Sequence, residues 1–326
     1  MNAVNHNNVV IFDDRGIPSI MCRFVRPKDS EEVPAVFKIG DKVADAIYIS
    51  KYPNIVIDGR AYSMPMADPT TNITFDEAVQ ACRCKGLGWH LMTAVEYEYL
   101  LNQSREKGTM PHGNTDWGKD YYHNEEQGKV SNLGRTYTGT GPVTWNHDHT
   151  PYGVSDLNGN VWEWLAGLRI KDGVIEFIPG NKAASPYCDL SKDSTEWQQA
   201  ETSKGPVRAN VECGEITITD AVAADDYEPN YDGVRIEELE VKLSEIPQVL
   251  KDLGIIPDKR AEEEGKTYVY FDATEGEYLP LRGSAFGRPS SSGPSALGLN
   301  NPRSDSNDVI GFRSAFYEVN GKLITE

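Results

Sequence analysis

The clearest order in the chain is helical. Thr74-Phe75-Asp76-Glu77 opens a stretch in which Phe75, Ala78, Val79 and Cys82 fall on one face at a spacing of three to four, with Gly86 as the stop. Thr93-Ala94-Val95-Glu96 repeats the same start, with Val95, Tyr99 and Leu100 as the inward stripe and Gly108 beyond the end. Both starts are capping boxes, in which a threonine hydroxyl takes an amide of the first turn and a glutamate reaches back to the threonine amide. Before these helices the pattern is that of short strands. Val9 to Phe12, Met21 to Val25, Val33 to Ile39 and Ala46 to Ile49 are separated by Asp13-Asp14-Arg15-Gly16, Pro27 and Gly40-Asp41. Later, Ile216 and Ile218 alternate with Thr217 and Thr219, as in a half-buried strand, and Pro247 precedes a short helix carrying Leu250 and Leu253 and closed by Gly254.

Gly153 to Trp164, GVSDLNGNVWEW, is the most informative stretch. Turn-forming Ser155, Asp156, Asn158, Gly159 and Asn160 run straight into Val161, Trp162, Trp164 and Leu165, so the backbone turns tightly and then delivers two indoles to a core. Glu163 between them either satisfies loop amides or helps Asn160 hold a hard cation such as calcium, and the sequence leaves both open.

Composition narrows the classes. With 326 residues, 39% hydrophobic and 10% aromatic, the chain has ample material for a core. No apolar run is long enough to enter a bilayer, so no membrane insertion is expected. A formal charge of −18 with no basic stripe argues against nucleic acid. MNAVNHNNVVIFDDRG lacks a basic leader, which leads to the expectation of cytoplasmic synthesis without a signal peptide. Five cysteines (Cys22, Cys82, Cys84, Cys188, Cys213) are too few and odd in number for a disulfide framework, and Cys82-Arg83-Cys84 is a lone pair of thiols in a helical pattern, which reads as packing. His147-Asp148-His149 reads as a hydrogen-bonded turn, since adjacent loop residues rarely make a ligand set alone. Glu96 and Glu98, two apart on a helix, point to different faces and read as capping or solvated. No metal or other cofactor is expected.

Two motifs near the C-terminus, Leu281-Arg282-Gly283-Ser284 and Ile310-Gly311-Phe312-Arg313-Ser314-Ala315, bracket a stretch rich in Ser, Gly, Asn and Pro. Together with GVSDLNGNVWEW, the two capped helices and the Ile47 to Pro53 strand, they resemble the formylglycine-generating-enzyme (sulfatase-modifying factor) branch of the C-type-lectin fold. The resemblance implies an α+β class, with short antiparallel strands, two helices and long loops. It implies a division into a strand-rich segment at 1–44 and a lectin-like domain at 45–326. That domain would carry an acidic insert at about 171–275, solvated for the most part, and a ligand-facing segment at about 281–317. From Ala221 to Glu264 the chain has 13 Asp or Glu against 5 Lys or Arg.

The family contains oxidases and pure binders. The oxidases need a cysteine pair in the bracketed segment to hold copper(I), and this chain has no cysteine after Cys213. Loss of the nucleophiles on a retained scaffold points to binding. From Leu281 to Tyr317 there is also no Lys, Glu, Gln, Met or Trp, where roughly seven would be expected from ordinary composition. Diversification of asparagine codons at their adenines yields Ser, Gly, Asp, Arg, Ala, Pro, Phe and Val but none of those five. The pattern therefore resembles the variable proteins of diversity-generating retroelements, over residues 45 to 170 and 278 to 317. This implies a non-catalytic receptor-binding protein, a phage tail component or alternatively a bacterial surface binder, displayed as a homo-oligomer. Its partner would be a host-surface protein or glycan, beside other virion tail components. Arg282, Gly283, Leu297, Leu299, Ile310 and Phe312 would hold the main chain from beneath. Contact residues would be Ala285, Phe286, Gly287, Arg288, Ser290, Ser291, Ser292, Gly298 and Asp305, with Phe286 and Arg288 as anchors. Asn300, Asn301, Arg303 and Asn307 suit scaffold bonding and ligand contact equally.

Overall fold

The structure, a computed structural model, describes residues 6–224 and 226–323; Asp225 of the acidic stretch and residues 1–5 of the leader reading lie outside them. Both capping boxes form. Thr74 caps the helix Phe75–Arg83 and Thr93 caps Ala94–Lys107, each threonine taking the amide of the glutamate three residues on while that carboxylate returns to the threonine N–H. Gly108 ends the second helix in a left-handed conformation, φ 64°. The short helix Gln248–Asp252 follows Pro247 and buries Leu250. No helix among the described residues is long and apolar enough to cross a membrane.

Two sheets carry the rest. In one, His6–Phe12, Pro18–Val25, Ala46–Ser50 and Ser314–Val319 lie side by side and antiparallel, so the last long strand closes on the opening core strand with Ala315 opposite Ile49. The other sheet has twelve strands among the described residues and brings the three marked motifs together. Trp162–Trp164 runs antiparallel to Glu277–Arg282, with Leu281 opposite Trp164, and parallel to Ile310–Phe312, with Phe312 opposite Trp164. Leu297–Pro302 returns antiparallel on Glu277–Arg282. The chain thus has the α+β, C-type-lectin-like architecture of short strands, two long helices and extended loops.

Two local expectations fail. Val33 to Ile39 is not one strand: after Pro34 the chain coils into the 3-10 helix Ala35–Phe37, and only Lys38–Ile39 is extended, pairing with Lys42–Val43. The stretch expected to be a solvated insert carries many exposed acids, but it is woven into the fold. Val207, Ile216, Leu250 and Phe271 join Ile49, Leu100 and Leu168 in one apolar cluster, and Tyr268–Asp272 pairs in parallel with Leu297–Pro302.

Candidate functional site

The frame of the site is ionic. Arg313 is fully buried, and a buried guanidinium is tolerable only when paired and hydrogen-bonded. Its Nε donates to Glu163 Oε2 at 2.6 Å and a terminal nitrogen reaches the other carboxylate oxygen, a bidentate pair. The remaining N–H groups donate to the carbonyls of Ser50 at 3.0 Å and Ser155 at 3.1 Å. One side chain thereby ties the closing strand to the opening strand, the GVSDLNGN loop and the WEW strand. Glu163 serves this pair rather than loop amides or a cation. Asn160 is likewise engaged, its Oδ1 accepting from Thr136 N at 2.8 Å and Asn114 Nδ2 at 3.1 Å. Beside them burial pushes the Asp156 carboxyl up to about 6, against the opposing pull of the Gly139 N–H and Arg313.

The other bracket is held differently. Arg282 pairs with Glu98 at 3.3 Å and lies over the Tyr97 ring at 5.1 Å. Glu98 is fully buried, contrary to the solvated reading, because Arg105 of its own helix also pairs with it and joins it to Glu264, which accepts from Ser295 Oγ. Gly283 must be glycine: φ is 91°, and an added Cβ would sit 2.7 Å from the Leu157 carbonyl. Gly159 N–H donates to Gly283 O at 2.6 Å, so the central loop and the start of the bracketed segment are in main-chain contact. Ser284 follows in a left-handed conformation, φ 70°, where a side chain is strained. The turn made by 283 and 284 sends the chain out of the sheet.

The nine predicted contact residues separate into three groups. Gly287, Arg288 and Ser290 are exposed. Ser291, Ser292 and Asp305 are half-buried; Ser291 O accepts from Tyr268 N, and Ser292 Oγ lies 2.9 Å from Ser284 Oγ, so both serines tie the loop to its base. Ala285, Phe286 and Gly298 are buried, which corrects the reading of the first two as contact residues. Ala285 packs with Trp162 and Phe312 in the core. Phe286, only 3% exposed, lies edge-on beneath Trp117 with ring centroids 5.0 Å apart, and Trp117 N donates to Phe286 O at 2.9 Å. The surface aromatic at this place is Trp117, 61% exposed. Arg303 belongs to the scaffold, bonded to Glu277 at 2.9 Å and Asp76 at 2.6 Å.

Gly298 has a different role. It sits on a groove of about 140 Å³ whose lining includes Trp162, Tyr270, Arg288, Asn300, Asn301 and Asn307. Trp162 and Tyr270 meet edge to face at 6.4 Å and form its aromatic wall. Neither was singled out as a contact residue. The alternation Tyr268-Val269-Tyr270-Phe271, with Val269 and Phe271 buried, places the two tyrosines on the open face and was the available signal. The His147 to His149 stretch is a turn as read: Val154 N donates to His147 Nδ1 at 2.9 Å and His149 Nε2 lies 3.1 Å from Met110 O. The hydroxyls of Ser284 and Ser292 that meet at the base of the loop are hard oxygen groups. They do not suit copper(I), which the oxidases of the resembled family hold with thiolates.

Residues 51–208 match the sulfatase-modifying factor enzyme 1-like domain. Over 105 residues the chain is 36% identical to the formylglycine-generating enzyme of Mus musculus, an overlap of 30% of this chain and 27% of that protein. The resemblance to the formylglycine-generating-enzyme type is thus found, and the domain match at residues 51–208 ends well before the bracketed segment. Among solved structures, PvdO from Pseudomonas aeruginosa aligns over 96% of this chain and 99% of its own at 14% identity and a TM-score of 0.38. The Major Tropism Determinant I1 variant aligns over 97% of this chain and 62% of its own at 12% identity and a TM-score of 0.33.

Proposed function

We propose that this chain is a non-catalytic binding protein whose exposed positions within the 281–317 segment are exchanged by retroelement diversification, and that it acts as a receptor-binding component of a phage tail. The observation that carries the reading is the division within one segment. Its two ends, Leu281 to Ser284 and Ile310 to Ser314, are buried and ion-paired, whereas Gly287, Arg288 and Ser290 between them reach solvent. Such a division lets side chains vary without moving the backbone beneath them. The absence of Lys, Glu, Gln, Met and Trp between Leu281 and Tyr317, and of any cysteine there, supports the same reading. The ligand would be a host-surface protein or glycan. So small a set of contacts implies display in several copies, where avidity compensates for a weak single site.

The test is binding of the purified chain to a panel of intact bacterial cells, repeated with variants in which positions 288, 290 and 305 are exchanged together. The proposal expects the set of bound strains to change with the exchange. Unchanged binding would overturn it, as would robust oxygen consumption with a cysteine-containing peptide and copper. The match of residues 51–208 to an oxidase-type domain makes that second assay necessary.

A further inference from the structure

Building on the binding reading above, we propose that the groove between Trp162, Tyr270 and Arg288 is a subsite for a carboxylated sugar residue. At about 140 Å³ it has room for roughly five waters at ~30 Å³ each, or one small polar ring. Its chemistry selects the ring. Arg288 has no ion-pair or side-chain hydrogen-bond partner among the described residues, and no carboxylate lines the groove, although the chain carries a net charge of −18. A lone, unneutralised guanidinium in so acidic a protein selects a monoanion, and its planar fork matches a carboxylate in two parallel hydrogen bonds.

The amides add a second requirement. Asn307 Oδ1 accepts from Val309 N at 3.0 Å, and because a main-chain N–H can only donate, the orientation of that amide is fixed and its NH₂ group is left over. Asn300 and Asn301 bond to each other at 2.9 Å; whichever of the two donates, one amide NH₂ and one carbonyl remain. Among Arg288 and these amides the unused set is therefore one guanidinium, two amide NH₂ groups and one carbonyl. A partner must offer several acceptors and at least one donor, which adjacent hydroxyls do and a bare carboxylate does not.

The third requirement is apolar. Trp162 and Tyr270 present ring surface, with Tyr268 stacked against Tyr270 at 5.9 Å, and aromatic rings take the C–H face of a pyranose. Gly298 keeps the space free. A Cβ there would lie 3.1 Å from Asn301 Nδ2 and 3.2 Å from Asn300 Oδ1, at the mouth of the amide pair. Carboxylate, hydroxyls and a C–H face occur together in uronic and sialic acids. A phosphate or sulfate ester supplies the charge without the rest.

Calorimetric or saturation-transfer titration would use the methyl glycosides of glucuronic acid and N-acetylneuraminic acid. The methyl esters of both acids, methyl glucoside and inorganic phosphate would serve as controls. Expected is roughly millimolar binding of one of the two acids, at least tenfold tighter than its neutral counterpart and than phosphate. Arg288→Gln is expected to abolish the preference for acid over ester, and Gly298→Val to block both, with urea midpoints of the two variants near that of the parent. Equal binding of ester and acid, an unchanged preference in Arg288→Gln, preferential binding of phosphate, or no binding by either acid would overturn the proposal. The cell-panel experiment stands apart. If strain range follows the exchanged positions while the sugars do not bind, only the sugar assignment fails. If the sugars bind as described while strain range is unmoved, it is the diversified-receptor reading that fails.

Discussion

Two arginines of the same segment, Arg313 and Arg288, show how differently the chain treats a charge. Arg313 is sealed from water, grips Glu163 with two nitrogens and gives its other protons to carbonyls of the opening strand and of the GVSDLNGN loop. Arg288 stands in solvent with its guanidinium unengaged among the described residues. A buried charge must have every partner in place, because the low-dielectric interior penalises each unpaired group heavily; an exposed one is free of that constraint. The same segment therefore holds one position that cannot change and another that can. That contrast separates frame from face.

The largest expected effect comes from breaking the frame pair. Glu163→Ala leaves Arg313 buried without its counter-charge and should cost about 3–5 kcal/mol in urea unfolding. If it fails to fold, Glu163→Leu with Arg313→Met should restore a cooperative transition, since well-packed apolar pairs replace buried ion pairs at little cost. Phe286→Ala comes next. As a buried ring it should cost about 3 kcal/mol, at the lower end for such changes, because Trp117 can settle into the space. A loss of binding without loss of stability would instead mean that Phe286 meets the ligand directly.

A pH experiment sharpens the frame side. The folded Asp156 carboxyl, raised to about 6 from 3.8, holds its proton more tightly than the unfolded chain does. Its contribution to stability therefore falls as pH rises between those values and is level above the upper one. Relative to Asp156→Asn, the parent should lose up to ~1.4 kcal/mol per pH unit in that window and nothing further above it. Parallel stability curves would show that the buried carboxylate carries no penalty. Smaller still is Trp117→Ala, which removes a largely exposed ring and should cost about 1 kcal/mol, chiefly by uncovering Phe286.

Legibility in the sequence followed locality. The two long helices could be read because cap, stripe and stop lie within a few residues of one another, and both boxes formed at Thr74 and Thr93. The LRG, WEW and GFR stretches could be recognised as anchors, and they lie in adjacent strands. What was missed depends on partners far away in the chain. Glu98 is buried because Arg282 and Arg105 surround it. Phe286 faces inward because the Trp117 loop covers it, with Asp116 bridging Gly287. The groove was hidden for the same reason: Trp162, Tyr270 and Gly298 come from three strands whose adjacency no local pattern encodes.

The most direct measurement of the division between frame and face is the urea-unfolding free energy of a variant carrying Arg288→Ser, Ser290→Arg and Asp305→Gly together. If these side chains lie on an exchangeable face, each costs within about 0.5 kcal/mol, and the triple variant stays within about 1.5 kcal/mol of the parent with the same m-value. A loss of about 3 kcal/mol or more, comparable to that of Glu163→Ala, would show that this face is part of the frame and contradict the account.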